Sequence, residues 1–168
     1  NDIRPGDIQS IEIRAHSVSA GVAGILNPRT IAESKFSIVF CTALALSRKQ
    51  VVLTDFSPAL LSDPAISALL AKSELIVDDG LTDDPGLRPA KITLRLRDGS
   101  VLSETAFTRK GDPENPLSRD EIRNKFMELA GPAWGSYSSA AAIFESLSRL
   151  PEAPDLSKWV NANLMPWQ

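Results

Sequence analysis

The chain has 168 residues, 43% of them hydrophobic and 23% charged, which fits one globular domain, or a domain with an appendage, and excludes disorder. Its 18 basic and 21 acidic residues leave a net charge of −3, so the bulk electrostatics offer no attraction for nucleic acid or an anionic membrane. The single cysteine, Cys41, excludes an intrachain disulfide and fits a reducing, cytoplasmic setting.

The longest apolar run, Ile38 to Leu46, is about half of a membrane span of roughly 20 residues, so no transmembrane helix is expected. The opening Asn1-Asp2-Ile3-Arg4-Pro5-Gly6 has neither an apolar signal core nor an initiator methionine, and the expectation is a mature or excised fragment. One histidine and one cysteine cannot build a Cys/His zinc site, and no HExxH, GxSxG, Walker or GxGxxG pattern is present. Metal, nucleotide and serine-hydrolase chemistry therefore lack their parts.

Ile11, Ile13 and Ala15 alternate with Glu12, Arg14 and His16, which predicts a strand with one buried face and turns His16 away from it. Ser17 to Asn27, rich in small residues and carrying Gly21 and Gly24, reads as a loop able to approach a ligand or another backbone closely. Thr30 and Glu33 make a capping box just after Pro28. Phe36, Phe40, Ala43 and Leu44 then predict one helix over about residues 31–47. Ile38, Val39, Cys41, Ala45 and Leu46 occupy its other faces, so this helix should be buried as the core.

Ser57-Pro58 and Asp63-Pro64 each open a short helix, because a capping side chain precedes a proline suited to the first helical position. Leu75-Ile76-Val77 reads as a strand ending in the acidic loop Asp78 to Asp84. Ile92, Leu94 and Leu96, then Asp98-Gly99, then Val101 and Leu102 predict a β-hairpin. Across residues 88–110 basic groups outnumber acidic ones by a net +4, either a solvated strand face or a surface for an acidic partner.

Beyond Gly111-Asp112-Pro113-Glu114-Asn115-Pro116 the pattern is helical throughout. Ser118 and Glu121 box a helix carrying Ile122, Phe126 and Leu129 that Gly131-Pro132 ends. A second runs through Ile143, Phe144, Leu147 and Leu150, and Asp155 caps a third with Leu156, Trp159, Val160 and Leu164. The fold class is thus α+β, with an α+β domain over residues 1–112 and C-terminal helices over residues 113–168. Three such helices make a bundle too thin to cover Trp134, Trp159 and Trp167, so they are expected to pack on something else.

Three stretches in this order resemble the C-terminal part of the MmgE/PrpD family, which includes 2-methylcitrate dehydratase, cis-aconitate decarboxylase and an iminodisuccinate epimerase. They are Ile11-Glu12-Ile13-Arg14-Ala15-His16; Asn27-Pro28-Arg29-Thr30 with Ala32 to Phe40; and Lys110 to Ser118 followed by Lys125-Phe126. The resemblance implies a lid domain followed by helices that pack on the enzyme's N-terminal helical domain, where most catalytic groups would lie. It further implies a homodimer, no metal and no organic cofactor, and proton removal next to a carboxylate of a small di- or tricarboxylic acid. Loss of water, loss of CO₂ or reprotonation would follow. Many members carry a tyrosine where this chain has Phe40, which can donate no proton; that departure shifts weight from dehydratase toward epimerase or isomerase.

Four residues are the candidates. His16, as the only imidazole, is an acid–base candidate, against a structural strand-end role. Lys35 and Ser37, early in a helix beside the glycine-containing loop, are expected to bind a substrate carboxylate, although i and i+2 point about 200° apart. Phe40 is either core or pocket wall. The alternative to an enzyme part is a non-catalytic dimerisation or regulatory domain that docks an acidic partner on the basic hairpin.

Overall fold

The computed structural model describes residues 3–48, 51–84, 86–133, 136–152 and 155–164. They form two compact units, Asn1–Asn115 and Pro116–Gln168, each taken by itself below.

The first unit is built on a mixed four-stranded sheet of order β2-β1-β3-β4: β1 (Ile8–Ala15), β2 (Ser73–Val77), β3 (Ala90–Leu96) and β4 (Val101–Ala106). β1 runs parallel to β2 and antiparallel to β3, so the first strand in sequence is central in space. Ile11, Ile13 and Ala15 are buried on one face, as the alternation requires, and Ile8, also buried, precedes a register shift between Ile8 and Ser10. The register puts Glu12 and Arg14 on the other face with Thr93 and Lys91, and Thr93 there shares a hydroxyl hydrogen bond with Ser103. A polar outer face of this kind is what a one-sided sheet shows to water.

Five short helices lie between β1 and β2: α1 (Ser17–Ala23), α2 (Ile31–Lys35), α3 (Ile38–Arg48), α4 (Pro58–Leu61) and α5 (Pro64–Leu70). Val39, Phe40, Ala43 and Leu44 of α3 and Ile66 and Leu69 of α5 join Ile11, Ile13 and Leu94 in one core. α4 and α5 start as their Ser-Pro and Asp-Pro pairs dictate: Ser57 accepts from the amide of Leu60 and Asp63 from that of Ala65 at 2.7 Å. Asp55, almost fully buried, accepts from the Val52 amide at 2.9 Å and pairs with Arg48 at 3.1 Å, tying the end of α3 to the segment that follows.

Two local expectations change. Residues 17–23 form a helix rather than a loop, because the His16 side chain caps them and Ser, Val and Ala tolerate helical backbone; Gly24 ends the helix where a Cβ would run into the carbonyl oxygen of Ala20. The helix expected over residues 31–47 is broken at Phe36-Ser37. There the Ser37 hydroxyl turns back to cap α3, and Gly24 and Ser37 form a single antiparallel bridge. The hairpin closes as read, with Gly99 at φ +87° and Asp98 accepting from the amide and hydroxyl of Ser100.

The second unit holds α6 (Arg119–Ala130), α7 (Tyr137–Ser148) and α8 (Leu156–Leu164). The Ser118/Glu121 capping box is complete, with each side chain accepting from the other's backbone amide. Phe126 and Phe144 meet at 5.4 Å, and the Trp159 indole donates to Ser146 at 2.7 Å. Ile122, Leu129 and Leu156 remain about half exposed. Trp134 and Trp167 lie outside the described residues.

Candidate functional site

The parallel pairing of β1 with β2 brings two distant stretches side by side. Ala15 stands opposite Val77, so His16-Ser17 and Asp78-Asp79 leave the sheet at the same end. Asp79 accepts from the Ser17 amide at 2.7 Å and lies 3.6 Å from His16 Nε2. Asp78 takes the Arg14 guanidinium at 3.1 Å on one oxygen and the Gly80 amide at 3.0 Å on the other. Arg14 in turn donates to Glu12 at 2.7 Å. The hydrogen bonds from Ser17, and then the charges of His16 and Arg88, hold the Asp79 carboxyl below its ordinary value.

His16 sits at this corner with its side chain 19% exposed. Its Nδ1 accepts from the amide of Val18 at 3.1 Å, which makes the imidazole the N-cap of α1. A neutral imidazole has one acceptor nitrogen and one N–H. With Nδ1 accepting, the proton is on Nε2, facing Asp79, and the basic lone pair is already engaged.

Lys35 and Phe36 lie at the break between α2 and α3. Lys35 is exposed and makes no ion pair among the described residues, and Phe36 is half exposed beside it. Ser37 is fully buried: its hydroxyl donates to the carbonyl of Ile25 and accepts from the amide of Phe40 at 3.1 Å. Phe40 is also fully buried, packed 6.4 Å from the ring of Phe56. Burial pushes the pKa of the Cys41 thiol up.

The four candidates are therefore not presented together. Lys35 faces solvent, Ser37 and Phe40 are interior, and His16 is bound into a helix start. Cavities of about 720, 280 and 180 Å³ lie elsewhere in the first unit, the largest between the N-terminal segment (Ile3, Arg4, Asp7) and the hairpin (Leu96, Asp98, Leu102). Asp79 is the group that reading the sequence missed. The signal was present in the acidic run after Val77, but it needs the β1–β2 pairing to connect it with His16. Among the described residues no cluster of three or more His, Cys, Asp or Glu could hold a metal ion, and no helix is long and apolar enough to cross a membrane.

Comparison with known proteins gives two findings. A family model, the MmgE/PrpD C-terminal domain, matches residues 1–149. The chain is also 31% identical over 105 residues to the Cis-aconitate decarboxylase-like protein oryM of Aspergillus oryzae, a match covering 61% of this chain and 21% of that protein. The chain thus spans about a fifth of the length of that curated relative.

Proposed function

From membership of the MmgE/PrpD family, to whose C-terminal domain this chain belongs, we propose that it is the lid-bearing part of a cofactor-independent enzyme acting next to a carboxylate of a small di- or tricarboxylic acid. The match over residues 1–149 carries the reading. Residues 1–112 serve as the lid, and residues 113–168 pack on the N-terminal helical domain of a homodimeric, cytoplasmic enzyme. The half-exposed Ile122, Leu129 and Leu156 support that packing, because apolar side chains gain by burial.

Lys35 is the substrate contact in this reading. An exposed ammonium with no ion pair among the described residues can pair with a substrate carboxylate, and the pairing makes the neighbouring C–H more acidic by stabilising the charge that develops on deprotonation. Ser37 and Phe40 act by position: the first fixes the corner that carries Lys35, and the second anchors α3 in the core. His16 is set aside as base because its lone pair takes the Val18 amide.

The relative's name supports a decarboxylase-type lyase, while phenylalanine at position 40 supports epimerase or isomerase. Incubating the intact protein in deuterated water with cis-aconitate, 2-methylcitrate and iminodisuccinate separates them. CO₂ release marks a decarboxylase, loss of water a dehydratase, and deuterium uptake without net loss an epimerase. Turnover of none of these favours the second reading, a non-catalytic dimerisation or regulatory domain, which draws support from the dispersal of His16, Lys35 and Ser37.

A further inference from the structure

We infer that His16 is a titratable helix cap: the neutral imidazole holds the start of α1, and the protonated ring releases it and turns its charge to Asp79. The device is independent of which reaction the protein performs.

The geometry leaves the ring little choice. Nδ1 accepts from the Val18 amide at 3.1 Å, and Nε2 stands 3.6 Å from Asp79 Oδ1, an ion-pair distance rather than a hydrogen bond. A second proton can be added only at Nδ1. Once it is there, the Val18 N–H loses its acceptor, and a positive ring sits at the positive end of the helix dipole. Asp79, already anchored by the Ser17 amide at 2.7 Å, is the carboxylate placed to receive that charge. Histidine is the side-chain type that ordinarily changes charge between about pH 5 and 8, which is the interval the experiment scans.

The charged surroundings are few. α1 (SVSAGVA) carries none, β1 brings Glu12 and Arg14, and Arg14 is engaged by Glu12 and Asp78. β2 contributes Glu74, in register with Glu12, and Arg88 acts on Asp79 from the segment before β3.

What α1 is attached to gives the release a reach. Its C-terminal end runs through Gly24 and Ile25, which bind Ser37 and Phe36 next to Lys35: the Ile25 amide donates to the Phe36 carbonyl at 3.3 Å and the Ser37 hydroxyl donates to the Ile25 carbonyl. Loosening the cap therefore loosens one wall of the corner that carries Lys35 and Phe36.

The test is hydrogen exchange of the intact protein, read by mass spectrometry on peptides covering residues 16–25 and normalised for the intrinsic pH dependence of exchange. Protection of α1 should fall about fivefold as the pH drops through the histidine range, the scale of a lost helix cap. His16→Asn, a capping side chain that does not titrate, should keep protection flat across that range, and His16→Ala should be poorly protected throughout. Asp79→Asn should move the wild-type midpoint to lower pH, since the neutral amide no longer favours the charged ring. A flat wild-type profile, or the same fall in His16→Asn, overturns the inference. Should His16→Asn not fold, an unmoved midpoint in Asp79→Asn overturns it instead.

Discussion

Ser37→Ala decides whether that hydroxyl belongs to the fold or to a ligand. In the structure it makes two bonds from a fully buried position, accepting from the Phe40 amide and donating to the Ile25 carbonyl. Loss of the capping acceptor costs about 1 kcal/mol. Leaving the Ile25 carbonyl without its donor adds about 1–3 kcal/mol, taken at the lower end because Ile25 is only partly buried and water can reach it. The first unit should thus lose about 2–3 kcal/mol, which is about 30- to 150-fold in protection against hydrogen exchange. Fluorescence cannot report this, because every tryptophan and the one tyrosine lie at or beyond residue 134, in the second unit. The assay is native-state exchange on peptides from β1 and α3. A loss of less than about threefold would refute the structural role. Unchanged protection together with a raised KM for a carboxylate substrate would return Ser37 to the binding site.

Lys35→Ala should leave stability within about 0.5 kcal/mol, as for an exposed side chain with no ion pair among the described residues, yet raise the apparent KM of the intact enzyme; Lys35→Arg should recover most of the affinity. Two glycines in one region should respond oppositely. Gly21, mid-helix with open space where a Cβ would go, should gain about 0.5–1 kcal/mol as alanine. Gly24→Ala should cost more than about 1 kcal/mol through collision with the Ala20 carbonyl, both changes being read by exchange on α1. Asp79, whose folded pKa is lowered first by the Ser17 hydrogen bonds, contributes stability that is present above the ordinary aspartate value of about 3.9 and lost as the pH falls through its folded value. Asp79→Asn should therefore be less stable at neutral pH and show a shallower loss in acid, which an acid titration followed by exchange or circular dichroism checks.

Period and punctuation carried most of the fold. Alternation at Ile11, Ile13 and Ala15 gave β1, Asp98-Gly99 gave the hairpin, and the Ser-Pro, Asp-Pro and Ser118/Glu121 signals gave α4, α5 and α6. What was hidden depends on partners far along the chain. The break at Phe36-Ser37 is set by a carbonyl twelve residues earlier, where a local reading sees only an uninterrupted apolar helix. Small residues and two glycines make the α1 segment read as a loop, and nothing local marks His16 as its cap, since histidine is not among the favoured capping residues and its acceptor role depends on which nitrogen holds the proton. The His16–Asp79 corner was invisible for a third reason. Both strands were legible, but their parallel pairing across five intervening helices was not, and only that pairing aligns Ala15 with Val77.

The same geometry limits what chemistry the first unit can supply on the proposed reading. Removing a proton next to a carboxylate needs a base with a free lone pair near neutral pH. His16 has committed its lone pair to the Val18 amide, and the ammonium of Lys35 has none. The Asp79 carboxyl is held low, which makes it a weaker base, and the Cys41 thiol is pushed up, which keeps it protonated. Lys35 nevertheless suits the other half of the task, since an exposed positive charge binds a carboxylate and stabilises the anion that deprotonation creates. On that proposed reading the lid brings charge and shape to the substrate, and the proton acceptor is sought in the remainder of the enzyme. Phenylalanine at position 40 fits that reading, because a buried ring without a hydroxyl anchors α3 and can itself carry no proton.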